Sequence, residues 1–152
     1  MKNTVALLMW LLISFSAAFV GGLVQPGEWY AGLNKPSWNP PSWLFGPVWT
    51  LLYAMIGVAA WRVWRKHRFQ APGAWTCFAV NWLLNAAWSV IFFRFHQIGW
   101  ALVDIVLLWG TIAVLAIAVG RKDRWAGGLL IPYWLWVSFA AALNGQLWLL
   151  NR

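Results

Sequence analysis

The sequence predicts an all-α membrane protein: a five-transmembrane-helix bundle in one domain over residues 1–152, with a structured first loop acting as a lid. Three observations carry this. Hydrophobic residues make up 62% of the 152 and charged residues only 9%, whereas a soluble domain is about a quarter charged. The few charges cut the chain into five apolar runs, each long enough for the roughly 20 helical residues that cross a bilayer. No run shows the strict alternation that a transmembrane β-strand needs. A globule this small could not hide so much apolar surface and stay dissolved, which excludes a soluble enzyme domain, a disordered chain and a nucleic-acid module. The net charge of +8 rests on 11 Lys and Arg gathered in short clusters, the pattern of basic flanks on membrane spans.

The five spans are expected at about 5–24, 43–63, 74–94, 99–119 and 126–149. The first follows Lys2 and contains Ser16-Ala17-Ala18, which resembles a cleavable signal peptide. Its apolar run continues through Phe19, Val20, Leu23 and Val24, long enough to span, so it is read as a helix. Arg62, Arg65, Lys66, His67 and Arg68 close the second span, and Pro72-Gly73 marks a turn into the third. Arg94 and His96 close the third, and Arg121, Lys122, Asp123 and Arg124 separate the last two. Pro132 predicts a kink early in the fifth helix. Gly120 and Gly145 suit helix ends or close packing, and Ala141 with Gly145 forms a small-xxx-small pair.

Five spans place the N-terminus and the second and fourth loops on one side. That side carries 8 Lys and Arg, Lys2 among them, against 3 on the other (Lys35, Arg94 and Arg152). The bias predicts a cytoplasmic N-terminus and an outside C-terminus in a bacterial cell membrane; an outer membrane stays open, because there the rule does not apply.

The first loop, Gln25 to Trp43, holds Pro26, Pro36, Pro40 and Pro41 with Trp29, Tyr30, Trp38 and Trp43. The prolines predict a stiff, non-helical segment. Its aromatics could form an interfacial belt, but a belt needs no rigid scaffold, which favours a packed lid over the bundle mouth.

Within the spans, polar and aromatic residues recur at helical spacing. Asn81, Asn85 and Trp88 share a face of the third helix, with Ser89 and Phe92 beside them. Trp49, Tyr53 and Gly57 share a face of the second, Trp100, Asp104 and Thr111 of the fourth, and Trp136, Ala140 and Asn144 of the fifth. Polar side chains in a bilayer turn inward, so these faces are expected to converge. Interhelical glue is the simpler role for the amides and hydroxyls. Asp104 is the one acid in a membrane-embedded position. Without a second acid it makes a poor proton relay, so a pairing with a buried amide, indole N–H or arginine is expected.

Metal-ligand spacing, a nucleophile elbow, a phosphate loop and paired carboxylates are all missing from the sequence. His67 and His96 fall in loops on opposite sides, so they cannot jointly ligate haem from one face. The single cysteine, Cys77, excludes an internal disulfide. What remains is a bundle with 16 tryptophans, few polar groups and a lid. That suits a pocket for a flat, mostly apolar ligand, with Lys35 available to a carboxylate at the lid. Tryptophans that merely fill volume between helices would give the same composition.

The segment from Trp29 to Pro41, Gly46-Pro-Val-Trp-Thr-Leu-Leu-Tyr53, Asn81 to Trp88, Gly99-Trp-Ala-Leu-Val-Asp104 and Pro132 through Asn144 together resemble the TspO/MBR family of tryptophan-rich sensory proteins and translocator proteins. The resemblance runs in order through all five spans. It implies a five-helix bundle, commonly a homodimer, with a cavity under the first loop that takes porphyrins (protoporphyrin IX or haem), sterols and benzodiazepine-site compounds. No cofactor is implied beyond porphyrin or haem as ligand, and no nucleic acid; membrane lipid is the surroundings. By position, Trp49, Tyr53, Asn85, Trp88, Trp100, Asp104, Trp136, Ala140, Leu143 and Asn144 are the expected cavity residues, and Trp29, Trp38, Asn39 and Pro40 the expected lid. The expected role is a receptor or carrier in tetrapyrrole homeostasis. Two alternatives are implied beside it. One is light- and oxygen-dependent porphyrin degradation, for which Trp49 and Trp136 match the two tryptophans used by some bacterial members. The other is transport of tetrapyrroles or sterols, although no inverted repeat is visible. Animal members carry a cholesterol motif with a central tyrosine at the end of the last helix; here Gly145 stands in its place, which argues against tight sterol binding.

Overall fold

The computed structural model describes residues 3–24 and 26–152. Lys2, counted in the charge bias, and Gln25, the first residue of the loop, lie outside them. All regular structure among the described residues is helical. The membrane-length elements are α1 (Asn3–Gly22), α3 (Ser42–His67), α4 (Pro72–Ser89, running on into a π-helical turn Val90–Arg94), α5 (Ile98–Gly120), and the pair α6 (Arg124–Leu129) and α7 (Ile131–Leu150). A single turn, α2 (Glu28–Ala31), lies in the first loop. The chain is an integral membrane protein: five of its segments are long and apolar enough to cross a bilayer.

Each expected span is present, with informative differences at the ends. The second runs a turn beyond 63 to His67, because charge does not end a helix when its side chains can lie back along it. The Arg65 guanidinium covers the Trp61 ring at 4.7 Å, and that of Arg68 covers Trp64 at 3.9 Å. The helix stops at Arg68, whose φ of 50° lies in the left-handed region and whose N–H still reaches Trp64 O at 2.8 Å. The expected kink at Pro132 is a break. Leu130 separates α6 from α7, and Pro132 sits in the first turn of α7, where a missing N–H costs nothing. The first loop is not wholly non-helical. Its prolines flank residues 28–31, so one helical turn forms there behind Gly27.

The helices form a closed ring. α1 packs on α3 and α4, α5 on α4 and α7, and α6 closes the ring against α3 and α5. Two glycines set the closest approaches. A Cβ on Gly57 would stand 3.0 Å from Leu11 Cα. This glycine, expected on the inward face with Trp49 and Tyr53, therefore lies against the α1 backbone. A Cβ on Gly127 would meet Gly120 Cα at 2.6 Å, so Gly120 is a packing residue. Gly145 is not: its nearest neighbour would be Leu102 Cδ1 at 3.8 Å.

At the basic end, Asp123 accepts from Trp125 N and Ala126 N and so caps α6. It also pairs with Arg62 at 3.1 Å and Lys66 at 2.8 Å. Burial alone would raise its pKa; the Lys66 ammonium, the Ala126 N–H and the Arg62 guanidinium outweigh that and hold it well below the usual carboxylate range. α3 is thereby pinned to α6. At the opposite end, Asn34 N donates to Asn151 Oδ1 and Asn151 Nδ2 to Asn34 O, both at 2.9 Å, tying the first loop to the end of α7.

Candidate ligand cavity

Away from the Asp123 seam, the helices enclose a cavity of about 450 Å³ beneath the first loop. α3 contributes Phe45, Trp49, Thr50 and Tyr53 to its wall. Pro47 lies in the second turn of α3, and Thr50 Oγ1 donates to Gly46 O at 2.8 Å beside it, where the helix borders the cavity. α4 and its π-turn contribute Asn85, Trp88, Ser89, Phe92 and Phe93; α7 contributes Trp136, Ala140, Leu143, Asn144 and Leu147. Ile105 and Leu108 of α5 and Phe15 of α1 complete the wall.

The aromatic rings hold one another. Trp49 stacks on Tyr53 (5.4 Å, 29°), Phe45 meets Trp136 edge-on (6.0 Å), and Trp88 stacks on Phe92 (5.1 Å, 24°). Such contacts fix ring orientation as well as burying area. Two buried polar systems run along the wall. Tyr53 Oη donates to Asn85 Oδ1 at 2.7 Å, Asn85 Nδ2 to Tyr133 Oη at 2.6 Å, and Tyr133 Oη to Asn81 Oδ1 at 3.4 Å. Trp88 Nε1 donates to Asn144 Oδ1 and Asn144 Nδ2 to Ile98 O, each at 3.0 Å. The amides thus act as interhelical glue and as cavity lining at once. Trp136 Nε1 is buried with no hydrogen-bond partner among the described residues.

Three of the loop aromatics make ring contacts, while Trp43 is exposed. Trp29 stacks on His96 (4.2 Å, 18°) and meets Phe92 edge-on. Tyr30 meets Phe92 and Phe93 and borders the cavity. Trp38 meets Phe139 edge-on at 5.8 Å, and Asn39 Nδ2 donates to Pro40 O at 3.0 Å. Trp29, Trp38, Asn39 and Pro40 stand in the covering loop and do not line the cavity. Lys35 is turned inward on the loop, donating to Ala31 O at 3.0 Å and Leu33 O at 3.2 Å and lying over Tyr30. It is occupied, not held out for a carboxylate.

Of the expected cavity residues, Trp49, Tyr53, Asn85, Trp88, Trp136, Ala140, Leu143 and Asn144 are brought together, and Trp100 and Asp104 are not. The inward stripe of α5 is Ala101, Ile105, Leu108 and Ile112. Trp100 lies one residue, about 100°, off that stripe and is 68% exposed, whereas Asp104 is buried with the stripe but lines the α4–α5 seam instead of the cavity. Asp104 has no pairing: its Oδ2 is buried without a partner among the described residues. Unforeseen contributors are Phe93 and Phe45, which line the cavity, and Tyr133, which supports Asn85 from behind the wall. Tyr133 shares its face with Trp136, Ala140 and Asn144, so helical spacing could have found it. Phe93 enters through the π-turn, which no spacing rule anticipates.

The TspO/MBR family model matches residues 6–149. The chain is 41% identical to a tryptophan-rich protein TspO of Chlorobaculum tepidum over 99% of this chain and 98% of that one. It is 41% identical to the human translocator protein over 86% of this chain and 80% of that one. A tryptophan-rich sensory protein of Cereibacter sphaeroides is 37% identical over 88% of this chain and 84% of its own length. A five-span bundle with a tryptophan-lined cavity beneath its first loop, and this similarity over nearly its whole length, make the chain a member of the TspO/MBR family.

Proposed function

We propose that this chain is a membrane receptor or carrier that holds a porphyrin, protoporphyrin IX or haem, in the cavity beneath the first loop, with a regulatory role in tetrapyrrole homeostasis. One observation carries the reading: Trp49, Trp88 and Trp136 line a single cavity of about 450 Å³, within the range of small-molecule pockets. Flat rings and apolar walls favour a planar, conjugated guest, and Thr50, Asn85, Ser89 and Asn144 supply a few polar points along its edge. Relatives named translocator and sensory proteins support a membrane receptor role. We propose further that the basic end faces the cytoplasm of a bacterial cell membrane and that the chain works as a homodimer.

The deciding experiment is a dark titration of the purified protein with protoporphyrin IX, followed by tryptophan fluorescence. Saturable quenching at low micromolar ligand, about −8 kcal/mol, is expected. Linear, non-saturating quenching means partition into detergent, and the porphyrin assignment then falls.

A second reading is porphyrin breakdown in light, favoured by the position of both Trp49 and Trp136 on the cavity wall. An excited porphyrin can exchange an electron with an adjacent indole or activate oxygen beside it. Transport through the bundle has less support, because the α3–α6 contact and the Asp123 ion pairs close the end opposite the lid.

A further inference from the structure

On the outside of the bundle, the seam between α4 and α5 carries a second concavity of about 380 Å³, lined by other residues than the ligand cavity. Ile91 and Phe95, at the π-turn, form one side, and Trp100, Val103 and Leu107 of α5 form the other. The π-turn widens the helix locally, a device often found at functional sites. Val103, Leu107 and Trp100 are exposed, so the groove opens to the surroundings of the bundle.

Asp104 lines this apolar groove. It lies six residues into α5, about 9 Å along the helix axis, at a depth where an acid is costly. It is 93% buried (7% exposed), and its Oδ2 has no partner among the described residues. The ion pairs among the described residues all belong to Asp123, at the other end of the bundle. A buried carboxyl oxygen without a donor leaves a polar cost uncompensated, which a donor lodged in the groove would remove; Gln97 is the other polar residue of the lining.

We propose that this groove binds an amphiphile with a primary ammonium head, its N–H donors on the Asp104 carboxylate and its apolar body along Phe95, Val103 and Leu107, beside Trp100. An ammonium supplies what the site lacks in both respects, since it neutralises the charge and donates hydrogen bonds. Such charge-assisted bonds are about twice as strong as neutral ones. A hydroxyl head would donate without neutralising; a quaternary ammonium would neutralise without donating. The site is independent of the porphyrin reading, for it shares no residue with that cavity.

The test uses the full chain in phosphatidylcholine nanodiscs and a long-chain primary amine carrying a diazirine, with labelled peptides located by mass spectrometry. Labelling is expected within residues 91–107. It should be competed by dodecylamine about tenfold better than by dodecanol or dodecyltrimethylammonium, the factor expected for a hydrogen bond to a charged group. Asp104→Asn should lower it by a similar factor with the thermal melt unchanged. Equal competition by all three heads would mean ordinary lipid in the groove and overturn the proposal. So would efficient disulfide linkage of two copies through Val103→Cys in a Cys77→Ala background, which would assign the groove to a second copy of the chain. If Asp104→Asn fails to fold, the head-group competition on the unaltered chain gives the answer by itself.

Discussion

Trp88 and Asn144 join α4 to α7 beside the ligand cavity: the indole N–H donates to Asn144 Oδ1 at 3.0 Å, and the same amide donates to Ile98 O at the start of α5. One side chain, 1% exposed, therefore positions three helices around the site. Replacing it by alanine strands a carbonyl and an indole N–H. The Asn144→Ala protein is expected to lose about 2–3 kcal/mol of stability and to bind protoporphyrin IX roughly tenfold more weakly, because Trp88 is freed. Melting in detergent and the dark titration read the two effects separately.

Glycines in the bundle divide sharply. A Cβ at Gly127 would stand 2.6 Å from Gly120 Cα, which is backbone and cannot yield, whereas one at Gly110 would have nothing within 4 Å. Gly127→Ala should destabilise by about 1–3 kcal/mol through forced separation of α5 and α6. Gly110→Ala, in the middle of α5, should stabilise by up to about 1 kcal/mol through helix propensity. Melting temperatures moving in the same direction would contradict this account.

Asp123 makes stability depend on acid. Its pKa is held below the unfolded value of about 3.9, so its contribution is complete above that pH. The contribution is lost as pH falls from there through the folded pKa. The Asp123→Asn protein should melt lower than the unaltered chain at pH 7, with the gap narrowing below about pH 4. A gap of constant size from pH 7 to 3 would show that the carboxylate's charge does not carry the effect, since asparagine keeps an oxygen that can cap α6.

Phenylalanine at 49 and 136 keeps the aromatic wall and removes the indoles. The doubly substituted protein is expected to bind protoporphyrin IX within about threefold of the unaltered chain, since ring area is mostly retained. Illumination then separates the two readings of the cavity. Bleaching of porphyrin by the unaltered chain that vanishes in the variant would establish the degradative activity; identical absorbance decay in both would leave a receptor or carrier.

Residues 25–43 show why part of the site was legible. Prolines and tryptophans there announce a rigid, sticky cover, and Trp29 and Trp38 do pack down on Phe92 and Phe139. Residues 100 and 104 show why part was not. Helical spacing put both beside one seam, but Trp100 is exposed and Asp104 is buried away from the cavity, and spacing has no knowledge of which arc of a helix meets the cavity.

By itself the sequence determined the five spans, their family and the tryptophan-lined wall. The family follows from motifs met in order along the chain, and the spans and wall from one-dimensional quantities: the length of uncharged runs, the placement of basic clusters, and residues repeating every three or four positions. Tertiary structure alone decided the rotation of α5, the register shift at Val90–Arg94 and the break before Pro132. Each depends on which neighbours fill the space beside a helix. In a bundle whose helices are apolar nearly all round, burial energy differs little between faces, so close packing at contacts such as Gly57 on Leu11 and Gly127 on Gly120 chooses the face that turns inward.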